Sequence, residues 1–170
     1  MRCSGCRSID RRVADADTAH VNMDRANGGC RNIEYLDHTA DAAVRVHGAT
    51  AEAVFERAAE GMFSLMLDRD SVKRADRVSI HCEAPTVPEL LVEWLARLLA
   101  ERDIRGIALA SFDVAIDRRN EACTLDAVAW GERMDPSRHG LATEVKGISL
   151  LGLRAEERAD GWVAQCVFDV

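Results

Sequence analysis

Apolar residues recur at helical spacing in two segments of the chain. Thr50 is suited to an N-cap, and Glu52 follows it in the first turn, near the positive end of the helix dipole. Pro88 suits the first turn of a second helix, where its missing N–H leaves no helical hydrogen bond unmade. Spacings of three and four residues predict one buried face on each helix. These faces are Val54, Phe55, Ala58, Met62, Leu65 and Met66 on the first helix, and Leu90, Leu91, Trp94, Leu95, Leu98 and Leu99 on the second.

Alternating apolar and polar residues, typical of half-buried strands, occupy much of the remaining chain. Residues 33–36 and 43–46 predict two short strands around a polar turn, and 77–82 predict a third strand with Val78, Ile80 and Cys82 inward. Further strands are expected near 110–117, 122–131, 143–154 and 161–169. This order predicts an α+β fold, a two-layer α/β sandwich with two helices packed on one face of a mainly antiparallel sheet.

The first 31 residues lack this patterning. They contain no aromatic residue and no lysine, so we predict a disordered or weakly ordered extension (residues 1–31) before a single domain (residues 32–170). Met23 is an alternative start of translation. The extension also holds residue types found in zinc sites, but it lacks the second closely spaced ligand pair that such sites need. These residues are Cys3, Cys6, Cys30 and His20.

Charge and hydropathy exclude several classes of protein. The 170-residue, 18.7 kDa chain has 22 basic and 29 acidic side chains, and the resulting net charge of −7 argues against a basic nucleic-acid-binding domain. No apolar run approaches the roughly 20 residues of a membrane span. No signal peptide is visible, and three of the six cysteines lie in apolar runs like small buried side chains. We therefore predict a cytoplasmic, reduced protein without a membrane partner.

The common catalytic and nucleotide-binding motifs are absent from the sequence. It contains no phosphate-binding glycine loop, no dinucleotide fingerprint, no zinc-protease helix motif and no nucleophile elbow. A self-contained enzyme is therefore hard to assemble from these residues.

Two acidic groups could carry chemistry. The segment Asp37-His38-Thr39-Ala40-Asp41 is either a hydrogen-bonded hairpin turn or a hard-cation site, since Ca²⁺, Mg²⁺ and Mn²⁺ prefer carboxylate oxygens. At the other end of the chain, Asp169 and the α-carboxylate of Val170 end an apolar strand. These two neighbouring anions are either solvated or separated by a cation.

Glu144 and Lys146 form a third polar group. Because they are two residues apart on the predicted strand 143–154, they are expected to share one face of it. They are either an ion pair across the sheet, or a lysine that reaches toward a phosphate of a partner.

At these residues the sequence resembles the archease family. The motifs span residues 33–170, the whole predicted domain, and are specific together rather than singly. The chain has Gly147, Ser149 and Leu150 where the family more often has Ala, Thr and Tyr, which predicts a partner-facing strand that differs in detail. The motifs are Tyr35-Leu36-Asp37-His38-Thr39-Ala40-Asp41, Gly48-x-Thr50-x-Glu52-x-x-Phe55, Met62-Phe63, Glu89-Leu90-Leu91-x-x-Trp94-Leu95, Gly131-Glu132, His139, Glu144-Val145-Lys146-Gly147 and Asp169-Val170.

The resemblance implies an accessory protein that is not itself an enzyme. Archeases promote GTP-dependent guanylylation and multiple turnover of the RtcB-type RNA ligase in tRNA splicing and RNA repair. GTP and RNA are then expected to meet this chain only through the ligase.

The resemblance also implies a divalent-metal site for Ca²⁺, Mg²⁺ or Mn²⁺. The family's metal-site positions fall on Asp41, Asp169 and the Val170 carboxylate, and its functional lysine falls on Lys146, which is expected to contact the partner or its phosphates. We expect Asp37 and His38 to support the ligands or the turn rather than to bind the ion.

Two other functions stay open at this stage. The Asp37, His38 and Asp41 cluster could serve a metal-dependent hydrolase, which would turn over phosphate esters without a partner protein. A general chaperone would instead need an exposed apolar patch, which the sequence does not locate.

Overall fold

The computed structural model describes residues 33–37, 41–118 and 122–170. The predicted extension, with its cysteines and Met23, lies outside the described residues, so both the extension and the domain boundary stay predictions. The described elements, in chain order, are β1 (Ile33–Asp37), β2 (Asp41–Gly48), α1 (Ala51–Met66), β3 (Asp76–Ala84), α2 (Val87–Arg105), β4 (Ile107–Asp117), β5 (Cys123–Arg133), α3 (Pro136–His139), β6 (Gly147–Arg158) and β7 (Gly161–Asp169).

The strands form two antiparallel sheets. One sheet has the order β1-β2-β7-β6 and the other has the order β3-β5-β4. The predicted α+β class and antiparallel pairing are confirmed, but the strands are divided between two sheets where one was expected. The division arises because the C-terminal strand β7 pairs with β2 and β6, whereas β5 pairs with β3 and β4.

Both helices begin where the sequence predicts. The Thr50 hydroxyl accepts a hydrogen bond from the Ala53 amide at 3.2 Å, which satisfies one of the free donors of the first turn of α1. Thr86 caps α2 in the same way, with Pro88 in its first turn. Helix α2 ends at Gly106, whose φ of 61° is a conformation that glycine adopts without steric cost.

The core lies where both helices meet the inner faces of both sheets. Trp94 of α2 is fully buried, donates its indole N–H to the Phe55 carbonyl oxygen at 3.2 Å, and packs edge-on against Phe112 of β4. The predicted buried faces of the helices are confirmed, except that Leu65 is half-buried. Cys82 and Cys166 are buried as predicted, whereas Cys123 is half-buried. No helix among the described residues is long and apolar enough to cross a membrane.

The predicted strand 143–154 is wrong at its start. Strand β6 begins at Gly147, because the amides of Ala142 and Thr143 bond to the carbonyl oxygens of Met66 and Leu65 at the end of α1 rather than to a neighbouring strand. Glu144 and Lys146 therefore do not lie together on a strand, and no ion pair joins them in this described part of the chain.

Candidate metal and partner site

The residues that the sequence predicts for a metal site meet at one end of the four-stranded sheet. Asp41, the first residue of β2, lies directly opposite Asp169, the last residue of β7. Asp169 is in turn opposite Gly147, the first residue of β6. Residues directly opposite each other in antiparallel strands share a face of the sheet, so Asp41 and Asp169 belong to the same face. We refer to this end of the sheet as the carboxylate tip, consisting of Asp41, Asp169 and Val170.

Lys146 is joined to the carboxylate tip through the main chain. Its amide donates to the Asp169 carbonyl oxygen at 2.8 Å, which extends the β6–β7 pairing by one bond. The Lys146 side chain is exposed. Val170 follows Asp169 directly and packs its side chain partly against the core. The loop that carries the lysine and the end of the last strand are therefore held together.

The carboxylate tip has the chemistry of a hard-cation site. Like charges directly opposite in a sheet destabilise it, and neither Asp41 nor Asp169 makes a hydrogen bond or ion pair from its side chain to another described residue. A cation that accepts carboxylate oxygens would remove this repulsion, and Ca²⁺, Mg²⁺ and Mn²⁺ are such ions.

Side chains alone do not complete the site. The described residues contain no cluster of three or more His, Cys, Asp or Glu side chains suited to a metal ion. The third group that the sequence predicts for this site is the α-carboxylate of Val170. The residues of the carboxylate tip therefore fit a site in which the protein supplies few of the ligands of the ion. Water or a partner protein would supply the others.

The segment that joins β1 to β2 contains His38. Residues 38–40, and with them His38, lie outside the described residues. The backbone of Asp37 ends β1 opposite Ala42, one position inward from Asp41. The supporting roles of Asp37 and His38, and the hydrolase that would use them, stay predictions.

The loop that carries Lys146 is anchored at both of its ends. Its start is tied to α1 and the following turn, because the Asp68 amide donates to the His139 carbonyl oxygen at 2.8 Å. Its end is fixed by Val145, which is fully buried in the core and whose carbonyl oxygen accepts from Arg102 at 3.5 Å. Lys146 therefore extends from a loop that is held at both ends.

A buried histidine anchors the start of this loop. His139 is fully buried, and its Nδ1 accepts from the Asp135 amide at 3.1 Å, which leaves Nε2–H to donate to Glu132 at 3.3 Å. The same oxygen of Glu132 accepts from Arg138 at 2.8 Å and from the Lys73 amide at 2.7 Å. Glu132 and His139 occur in two of the motifs quoted above, without a role predicted from the sequence; in the structure they support the loop.

We expect protein stability to depend on the charge of Glu132. Hydrogen bonds from Arg138, the Lys73 amide and His139 lower the pKa of Glu132 from 4.5 to about 2. A carboxyl group whose pKa is lower in the folded state stabilises that state fully above its ordinary pKa, and this contribution is lost as the pH falls through the folded value. When unfolding in urea is measured between pH 4.5 and pH 2, the free energy of unfolding of the wild type should fall more steeply with falling pH than that of Glu132→Gln.

A suitable control for this experiment is Glu83→Gln, because Glu83 is exposed on β3 and bonds to no other described residue from its side chain. Its free energy of unfolding should follow that of the wild type over the same range. Parallel curves for the wild type and Glu132→Gln would contradict the assigned role of Glu132.

A cavity lies away from the carboxylate tip, on the outer face of the three-stranded sheet. It has a volume of about 440 Å³, and His81 within it bonds through Nδ1 to Asp126 at 2.8 Å. Both side chains are exposed, and exposed ion pairs contribute only about 0–1 kcal/mol. No residue of the motifs quoted above lines this cavity.

Comparison with known proteins identifies the family of the chain. The model of the archease protein family (MTH1598/TM1083) matches residues 33–170. The protein archease of Methanopyrus kandleri is 36% identical over 137 residues, covering 81% of this chain and 98% of its own length. The protein archease of Pyrococcus abyssi is 33% identical over 138 residues, with 81% and 97% covered.

Solved structures agree with this assignment. The solution structure of Methanobacterium thermoautotrophicum protein 1598 has a TM-score of 0.74 and 29% identity, and covers 82% of this chain and 99% of its own. The crystal structure of an archease from Thermotoga maritima, described as a possible chaperone, has a TM-score of 0.50 and 18% identity, and covers 79% and 94%. The second likeness concerns the fold alone. The motifs, the family model and the relatives agree over the same residues, and the chain belongs to the archease family.

Proposed function

We propose that this chain activates an RtcB-type RNA ligase, by promoting GTP-dependent guanylylation and multiple turnover of the ligase in tRNA splicing or RNA repair. The chain is a non-catalytic partner in this proposal, and it meets GTP and RNA only within the complex with the ligase. Family membership supports the proposal, together with the absence of common catalytic motifs from the sequence.

The observation that carries the proposal is the pairing of Asp41 with Asp169 beside the anchored Lys146. Two carboxylates with no partner among the described residues and an exposed lysine lie at one end of a sheet, where another protein can reach them. Such a tip presents oxygen ligands and a positive side chain together, which suits a partner that handles phosphate groups.

Asp41, Asp169 and the Val170 carboxylate would hold a divalent ion. The ion would supply positive charge near the phosphates bound by the ligase. The aspartates position this charge from paired strands. Lys146 contacts the partner or its phosphates from a loop fixed at both ends, so little conformational entropy is lost when the contact forms.

The proposal is tested by single-turnover guanylylation of an RtcB-type ligase with GTP and Mn²⁺. The wild-type chain is expected to accelerate the reaction over the ligase alone. Asp41→Ala should return the rate to that of the ligase alone, because it removes one of the two paired carboxylates.

Asp113→Ala serves as the matched control. Asp113 is an exposed aspartate on β4, in the other sheet, and its side chain makes no hydrogen bond or ion pair with another described residue. This variant should activate like the wild type. No acceleration by the wild-type chain would disprove the activator role, and full activation by Asp41→Ala would disprove the role of the carboxylate tip.

A further inference from the structure

Strand β6, at the edge of the four-stranded sheet, contains a large bulge. Ser149 pairs with Val167 and Arg154 pairs with Gln165, so four residues of β6 lie opposite the single residue Cys166 of β7. The extra residues leave the line of the strand, and Gly152 adopts a φ of 75° to allow it. We call residues 150–153 the β6 bulge.

The β6 bulge exposes two adjacent leucines. Leu150 is 71% exposed and Leu151 is 81% exposed. The other large apolar side chains that are exposed in the described part of the chain, Tyr35, Ile104 and Leu141, are single residues. A single exposed apolar residue is ordinary, whereas two consecutive leucines that are each more than two thirds exposed present apolar surface that gains free energy when covered.

The shape of the bulge is held by its neighbours. The Leu151 amide donates to the Ser149 hydroxyl at 3.1 Å, and the Gln165 side-chain amide donates to the Gly152 carbonyl oxygen at 3.2 Å. The oxygen of Gln165 accepts in turn from Arg45 of β2 at 2.8 Å. A network that spans three strands therefore holds the backbone of the bulge in place, which lowers the entropy lost when the leucines are covered.

Protection of the sheet edge does not account for the leucines. A bulge already prevents another strand from pairing with the edge, and charged side chains do this more effectively than apolar ones. Leucines add apolar surface to the edge, which favours association. The two leucines are therefore a feature that edge protection leaves unexplained.

The charges around the bulge indicate the chemistry of what covers it. Along the chain, the nearest charged residue on each side of the bulge is positive, Lys146 before it and Arg154 after it, although the chain has a net charge of −7. The leucines thus lie between two cationic residues, Lys146 in the loop before β6 and Arg154 within β6. This arrangement complements an apolar pocket bordered by carboxylates.

We propose that the β6 bulge is a docking element for the ligase, inserting Leu150 and Leu151 into an apolar pocket with acidic borders outside the ligase active site. This inference rests on the proposed function. The bulge begins three residues after Gly147, which pairs with Asp169, so a partner engaged at the carboxylate tip is in reach of the leucines. The bulge supplies affinity, and the carboxylate tip acts on the reaction.

The docking role of the β6 bulge and the role of the carboxylate tip in the reaction can be distinguished by measuring activation at different concentrations of the chain. In the guanylylation assay, Leu150→Ser combined with Leu151→Ser is expected to raise the concentration for half-maximal activation at least 10-fold and to leave the maximal rate unchanged. Gln165→Ala, which keeps both leucines but releases the Gly152 carbonyl, should raise that concentration by a smaller factor. Asp41→Ala should instead lower the maximal rate.

Ile104→Ser is the control, because Ile104 is 80% exposed at the end of α2, on a different element. It should activate like the wild type. An unchanged half-maximal concentration in the double leucine variant, with normal activation by the wild type, would overturn the docking role and leave the proposed function intact.

Two further measurements keep the inference testable on its own. If the wild type does not activate the ligase, calorimetric titration of the ligase with the chain measures whether the two proteins bind. An absence of binding then overturns the docking role as well. Sedimentation of the chain alone should show no self-association through the bulge. A dimer that the double leucine variant dissociates would assign the leucines to a second copy of the chain instead.

Discussion

Replacing Gly131 by alanine is expected to lower the free energy of unfolding by about 3 kcal/mol or more. Gly131 lies in β5 between Asp76 of β3 and Leu109 of β4, next to a bulge in β4. A Cβ atom at this position would lie 2.8 Å from the Ala108 carbonyl carbon and closer still to its oxygen. These are main-chain atoms of a paired strand, so relief requires a shift of β4 itself.

Urea unfolding at pH 7 measures this effect, and Gly147→Ala is its control. A Cβ at Gly147 would meet nothing within 4 Å. Alanine there should leave stability unchanged or raise it by up to about 1 kcal/mol, because it reduces the freedom of the unfolded chain. If Gly131→Ala lowers the free energy of unfolding by less than about 1 kcal/mol, the prediction is wrong, because β4 can then move away from the added Cβ atom at little cost.

Extending the chain beyond Val170 is expected to weaken divalent-metal binding by about 100-fold or more, since losing even a group that only supports a ligand costs about 10- to 100-fold. A peptide bond converts the α-carboxylate of Val170 into a neutral amide, which removes the third carboxylate of the proposed site. Titration calorimetry with Ca²⁺ and with Mn²⁺, on the free and on the extended chain, measures the change.

Two variants separate loss of the charge from steric obstruction. A chain amidated at Val170 loses the charge without added bulk and should bind as weakly as the extended chain. The same extension placed at the N-terminus should leave metal binding unchanged. Equal affinities of the amidated and the free chain would exclude the Val170 carboxylate as a ligand, while leaving Asp41 and Asp169 in place.

Helices and short strands could be predicted from the sequence because their signals are local. Thr50, Thr86 and Pro88 act within one turn of the helix start, and the buried positions of α1 and α2 follow the helical period. The strand 77–82 could also be predicted, since Val78, Ile80 and Cys82 alternate with exposed residues in β3.

The start of β6 could not be predicted in this way. Residues 143–146 keep the alternation of a strand, with Val145 buried between exposed neighbours. Whether such a segment joins a sheet depends on which backbone groups it meets, and here the end of α1 offers unbonded carbonyl oxygens. The role of Glu132 could not be predicted for the same reason, because the Lys73 amide that bonds to it lies 59 residues away along the chain.

The α+β class, the helix starts, the polar character of the candidate site and the motifs of the archease family follow from the amino-acid sequence alone. The division of the strands into two sheets, and the position of Asp41 opposite Asp169 beside Lys146, are visible in the folded chain only. Periodicity and capping act over a few neighbouring residues, so they are visible along the chain. The pairing of β2 with β7, whose paired residues are 114 to 128 positions apart, depends on the packing of the whole core, which no local pattern records.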